Sequence, residues 1–155
     1  MAREAERMEA GPAIEREVRI EASPDIVFEL LTDPEQYVRW KGRAARLDAR
    51  AGGEFRVEIN DQATAVGEYL EVDPPNRVVF TWGWQGNDAV PPGSSTVEIT
   101  LEPDGDATIL RLVHSGLPAP AVGEHTQGWD HYLGRLVKVG AGRDPGPDPH
   151  QSLDV

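Results

Sequence analysis

The stretch "GEYLEVDPPNRVVFTWGW", residues 67–84, decides the fold. Two runs rich in β-branched and aromatic residues flank Asp73-Pro74-Pro75-Asn76, a turn composition, so the stretch reads as two strands joined by a tight turn. Alternation puts Val78, Phe80, Trp82 and Trp84 on one face of the second strand and Val79, Thr81 and Gly83 on the other. Each large group on the first face gains about 1.5–3 kcal/mol when fully buried, so that face needs a cover. Such a face either fills a core or walls a cavity. Phe80 reads as filling, and Trp82 and Trp84 as lining. Trp84 adjoins the loop "QGNDAVPPG", a place where core and cavity mouth meet and where an indole can present its apolar body and its N–H at once.

The same alternation extends outward. "GGEFRVEI" sets Phe55, Val57 and Ile59 against Glu54, Arg56 and Glu58, and "STVEITLE" and "ATILRLVHS" flank "PDGD", whose Asp104-Gly105 marks a hairpin. "IEREVRIEA" begins the series with Ile14, Val18 and Ile20 on one face. "SPDIVFELL" and "DPEQYVRW" each open like a helix, with Ser23 or Asp33 in the N-cap position and proline directly after it. The last element, "AVGEHTQGWDHYLGRLVKV", spaces His125, Trp129, Tyr132 and Leu136 as one helical stripe, with Leu133 adjoining. The order is therefore strand, two short helices, about five strands in a meander and one long helix. An antiparallel sheet with its helices gathered on one face is an α+β architecture.

Length and composition bound the function. The 155 residues suit one domain, expected over residues 13–140, with residues 1–12 a flexible arm and the Pro/Gly/Asp-rich residues 141–155 a disordered tail. Cysteine is absent, which removes disulfides and thiolate chemistry. A net charge of −12 opposes phosphate backbones and anionic lipid surfaces, so no nucleic acid is expected as a partner. No apolar run approaches the ~20 residues of a membrane span, and the charged start does not read as a secretory signal, so a cytoplasmic location is expected. HExxH, P-loop, G-x-S-x-G and dinucleotide fingerprints are missing, and the four histidines show no ligand spacing. The expectation is no cofactor and no metal.

The pieces "ASPDIVFELLTDPEQYVRW", "AGGEFRVEI", "GEYLEVDPPNRVVFTW", "STVEITLEPDGDATILRLVHSGLP" and "HTQGWDHYLGRL" occur in an order that resembles the START-like (SRPBCC) superfamily. Within it they are most similar to the heat-shock-protein-90 ATPase activator homologue family. The resemblance implies a helix-grip fold, a curved sheet wrapped around a long C-terminal helix, with a cavity between them suited to a lipid-like or aromatic molecule. One departure stands out: the family often has a second tryptophan directly after the one matched by Trp40, then Gly-Pro, whereas this chain reads "RWKGRA", with Lys41 and Arg43.

The expected cavity residues are Trp40, Phe55, Val57, Phe80, Trp82, Trp84, His114, Trp129, Tyr132 and Leu133. His114 shares its parity with Leu110 and Leu112, where an imidazole is a satisfied neutral core group, a polar ligand anchor or a general acid/base. Glu68 shares a parity with Val66 and Leu70. It is either a solvated carboxylate or, if inward, a desolvated one with a raised pKa and the first candidate base. The leading expectation is binding of a small hydrophobic or aromatic molecule. An aromatase/cyclase-like or hydrolase-like enzyme using His114, Glu68 or Tyr132 is the alternative, and the family name adds a chaperone partner as a third. A homodimer through a sheet edge also fits the pattern.

Overall fold

The computed structural model describes residues 11–152. Its strands are β1 (Ile14–Ile20), β2 (Ala44–Leu47), β3 (Glu54–Asn60), β4 (Ala63–Asp73), β5 (Arg77–Trp82), β6 (Ser95–Asp104) and β7 (Ala107–Ser115). Helices α1 (Pro24–Thr32) and α2 (Pro34–Tyr37) follow β1, and the long α3 (Ala119–Gly140) follows β7, with a 3-10 turn at Pro149–Ser152. The strands form one seven-stranded sheet in the order β1-β7-β6-β5-β4-β3-β2, every neighbouring pair antiparallel. Sheet and long helix together make the helix-grip arrangement. No described helix is long and apolar enough to cross a membrane.

Strand polarity follows side-chain chemistry. Phe55 and Val57 on β3, Val78, Phe80 and Trp82 on β5, and Leu110, Leu112 and His114 on β7 are all buried. Ile14 and Ile20 close β1 over the same core. Gly105, with φ of 63°, is the first central residue of the two-residue turn between Asp104 and Ala107, the position where a type II′ hairpin needs a positive φ. In α1 the buried side chains are Val27, Phe28, Leu30 and Leu31, while Ile26 is exposed. Asp33 caps α2 by accepting from the Glu35 amide at 2.9 Å, whereas Ser23 sits at the start of α1 without a side-chain cap bond.

Two expectations need correcting. Six strands follow the two short helices where about five were expected; the additional one is β2, a short, charge-bearing AARL edge that carries no alternation signal. Residues 141–152, expected to be disordered, pack onto the domain. Arg135 Nη1 donates to the carbonyls of Pro145 (3.4 Å) and Gly146 (2.9 Å), Asn60 Nδ2 donates to the carbonyl of His150 at 2.8 Å, and Asp148 is buried. Proline and glycine bar regular secondary structure here, but side chains from α3 and β3 satisfy the segment's backbone. Of the expected N-terminal arm, residues 1–10 lie outside the described residues; Gly11 donates its amide to the Leu117 carbonyl at 2.9 Å.

Candidate ligand cavity

The stripe of α3 that faces the sheet does not close onto it everywhere. Gly128 interrupts the series His125, Gly128, Trp129, Tyr132, and a Cβ built on it meets nothing within 4 Å. An open cavity of about 400 Å³ remains, within the ~300–1,000 Å³ range of small-molecule sites. Trp82, Trp84, Trp129 and Tyr132 supply its aromatic wall, with Ile59 and Ala63 beside them. Asn60, Gln62, Gln85, Asn87, Glu124 and His150 supply polar groups around it. Trp82 packs edge-on to Trp84 (5.4 Å between centroids) and tilted against Trp129 (5.6 Å), so the indoles brace one another.

Gly83 lets the loop after β5 approach closely: a Cβ there would lie 1.7 Å from the Pro91 carbonyl oxygen. Trp84 follows, its amide donating to the Val90 carbonyl at 2.7 Å and its backbone bridging to Ala65. These contacts hold its ring over the cavity.

Two tryptophan–histidine pairs fix the wall. Trp129 Nε1 donates to His114 Nδ1 at 2.9 Å, so the His114 proton sits on Nε2 and is donated to Ser95 Oγ at 2.8 Å; Ser95 Oγ in turn donates to the Trp82 carbonyl at 2.8 Å. Trp84 Nε1 donates to His125 Nε2 at 2.8 Å, leaving Nδ1–H to donate to the Ala121 carbonyl at 2.8 Å. Burial pushes the His114 pKa down to about 3, helped by His125 and Lys41. His114 is a satisfied, neutral core group with both nitrogens engaged. Its imidazole ¹⁵N shifts are expected to stay those of the neutral Nε2–H form from pH 8 down to about pH 4; titration near pH 6.5 would contradict this network. The stability tied to the neutral ring is present above about pH 6.5 and is lost as pH falls toward about 3.

Four of the ten expected cavity residues, Trp82, Trp84, Trp129 and Tyr132, line the space. Phe55 stacks on Phe80 at 4.2 Å and both fill the core, as do Val57 and Leu133. Trp40 is buried away from the cavity, its Nε1 donating to the Leu30 carbonyl at 2.8 Å. Glu68 is exposed, because the inward residue of that part of β4 is Tyr69 at 1% exposure, and the opposite parity carries Leu70 out to 50%. Glu68, His114 and Tyr132 therefore do not converge, and the acid/base constellation expected of an enzyme is not assembled from them.

Sequence reasoning missed Lys41. It is 4% exposed, and its Nζ lies 4.2 Å from the Trp82 ring centroid, 4.1 Å from Trp129 and 5.2 Å from Tyr132. The backbone around it is pinned from two sides: the Lys41 amide donates to the Tyr37 carbonyl at 3.1 Å, and Arg135 Nε on α3 donates to the Trp40 carbonyl at 2.9 Å. Burial lowers its pKa from 10.5 to about 7, with Asp148 acting the other way. The departure "RWKGRA" was the signal that marked this position.

The tail also brings His131, Asp148 and His150 together, with one ligand-type atom from each within 4.8 Å of the others, a grouping that the sequence spacing did not suggest. Asp148 is held here by hydrogen bonds, accepting from Tyr132 Oη at 2.7 Å and pairing with His131 Nε2 at 3.0 Å. This knot docks the 3-10 turn and sets His150 in the cavity wall.

Comparison with known proteins places the chain. The family model described as activator of Hsp90 ATPase homolog 1-like protein matches residues 21–141. A human protein named activator of 90 kDa heat shock protein ATPase homolog 1 is 26% identical over 117 residues, covering 75% of this chain and 33% of its own length. The chain thus spans about a third of the curated relatives it matches. The solution structure of an AHSA1-like protein from Rhizobium etli is 47% identical, with a TM-score of 0.72, covering 89% of this chain and 87% of that one. The crystal structure of DynU16, a putative protein in the dynemicin biosynthetic locus, is 29% identical with a TM-score of 0.75, covering 88% of this chain and 50% of that one. With the family model covering most of the domain, the chain belongs to the family of activator of Hsp90 ATPase homolog 1-like proteins, with a START-like fold.

Proposed function

We propose that the domain binds a small, largely aromatic molecule in the cavity between sheet and long helix. The observation that carries this reading is that three indoles and a phenol converge on about 400 Å³ of open space instead of filling it. Evolutionarily cheaper packing was at hand: a larger residue at Gly128 would occupy the gap, yet the helix keeps a residue that destabilises it by about 1 kcal/mol relative to alanine. Aromatic walls favour flat π-systems through stacked and edge-on contacts, and the amides of Asn60, Gln62, Gln85 and Asn87 offer polar contacts at the rim. A relative whose gene lies in the dynemicin biosynthetic locus agrees with a role toward small molecules.

Titration with naphthalene-2-carboxamide, a neutral aromatic probe, tests this. Three of the four tryptophans line the cavity, so saturable quenching of tryptophan fluorescence with one site per chain is expected below about 1 mM probe. Emission that changes only linearly to the solubility limit would overturn it.

A further inference from the structure

We propose that the ligand is an aromatic carboxylate whose anionic oxygen is received by Lys41 Nζ within the cage of Trp82, Trp129 and Tyr132. This rests on the cavity reading above and assigns the chemistry of its ligand.

A buried ammonium needs acceptors. Nζ carries three N–H donors, and among the described residues no side chain or carbonyl accepts from it. Its aromatic neighbours offer π-faces, which attract the cation without accepting its protons in strong hydrogen bonds. Leaving a buried charge without hydrogen bonds is costly, and the cost is removed when a partner of opposite charge arrives. Trp82 Nε1 does not share this role. It has no hydrogen-bond partner, but the atom is sealed inside the wall, so Trp82 meets the cavity with its ring and not with its N–H. Lys41 Nζ is the donor on this wall for which the described chain supplies no acceptor, and the open cavity beside it can admit one.

The other ionisable groups around this space do not fill that role. Glu124 and His125 line the cavity from α3 and His150 from the 3-10 turn, while His114 on β7 and Asp148 stand behind its wall. His125 already pairs with Trp84 and Ala121, and Asp148 with Tyr132 and His131. Lys41 is the one lysine or arginine among the described lining residues. The chain's −12 charge repels anions from afar, but screening limits that repulsion to roughly 8 Å at physiological ionic strength. At contact, a charge-assisted hydrogen bond in a dry aromatic setting prevails. The depressed pKa of Lys41 adds a signature: an arriving carboxylate favours the ammonium, so binding at pH 8 takes up a proton.

The test compares 2-naphthoate with naphthalene-2-carboxamide, which has nearly the same shape and no charge, on the full chain and on Lys41→Met. The expected result is naphthoate bound at least about tenfold tighter than the amide at pH 7, a preference that vanishes in Lys41→Met as naphthoate affinity falls by at least about tenfold. Calorimetry at pH 8 in buffers of different ionisation enthalpy should report proton uptake with naphthoate and none with the amide. Equal affinity for both probes in the unmodified chain, or a preference that survives Lys41→Met, overturns the anion assignment and leaves the cavity reading standing. Failure of both probes to bind overturns both.

Discussion

Lys41→Met is expected to make the domain more stable, by about 2–4 kcal/mol at pH 7, equivalent to a rise of roughly 5–15 °C in Tm for a chain of this size. The reasoning starts from the buried amine. An unfolded lysine holds its proton to about pH 10.5, whereas burial lets the folded one release it near 7. At about 1.4 kcal/mol per pH unit, desolvation net of Asp148 penalises the folded state by up to about 5 kcal/mol below pH 7, and the cation–π contacts with three rings offset part of it. Methionine keeps most of the stem and removes the charge. The sign with pH follows from proton counting. Between pH 7 and 10.5 the unfolded chain binds more protons than the folded one, so stability climbs with pH through this window and the penalty is gone above it. Lys41→Met should flatten the climb. Tyr69 and Tyr132, held above their usual range by burial, oppose it above about pH 10, so chemical denaturation is best compared between pH 7 and 9.5. A destabilised Lys41→Met, or one with the original pH slope, would contradict the placement of Nζ. A residue whose removal stabilises the fold is retained for some other reason, and ligand capture supplies one.

Gly128→Phe is expected to abolish probe binding, by at least about 100-fold, without loss of stability. Position 128 lies on the cavity-facing stripe of α3, three residues after His125 and four before Tyr132, and a Cβ there enters open space. A benzyl group at that point projects into the volume that a ligand would occupy. Glycine inside a helix is unfavourable by about 1 kcal/mol, so replacing it offsets any strain from the ring, and the filled void gains contacts. Equal melting temperatures combined with lost quenching would locate binding in this cavity. Retained affinity would move the binding site elsewhere on the surface.

Much of the fold was legible because one-sided burial writes a period into the sequence. Phe55 and Val57 on β3, and Leu110, Leu112 and His114 on β7, read inward from alternation alone and are inward. The helical stripe of α3 was equally plain, since Trp129, Tyr132 and Leu136 recur at three- and four-residue intervals. At Glu68 the alternation left two readings open because both parities of β4 carry apolar groups, and only the register with its neighbours, shifted between Tyr69 and Glu71, decides that Tyr69 meets the core and Glu68 the solvent. The site was harder to read. A cavity is a volume left between elements, and no local pattern encodes a missing side chain; Gly128 looked like any helical glycine. Lys41 was marked only as a departure from the family's pattern, since a lone lysine in "RWKGRA" otherwise reads as solvated. What turns it inward is tertiary: Trp40 anchored on Leu30, and Arg135 on the Trp40 carbonyl. The tail's contribution, through Asp148 and His150, likewise depends on partners more than eleven residues away in sequence.

The indole N–H resonances of the four tryptophans test the central claim most directly, because each reports on one location. On titration with 2-naphthoate, the ¹H–¹⁵N signals of Trp82, Trp84 and Trp129 are expected to shift together and saturate, because all three rings wall the cavity. Trp40, bonded to the Leu30 carbonyl outside the cavity, should stay in place. Four unmoved signals at millimolar probe, or a response confined to Trp40, would contradict the account.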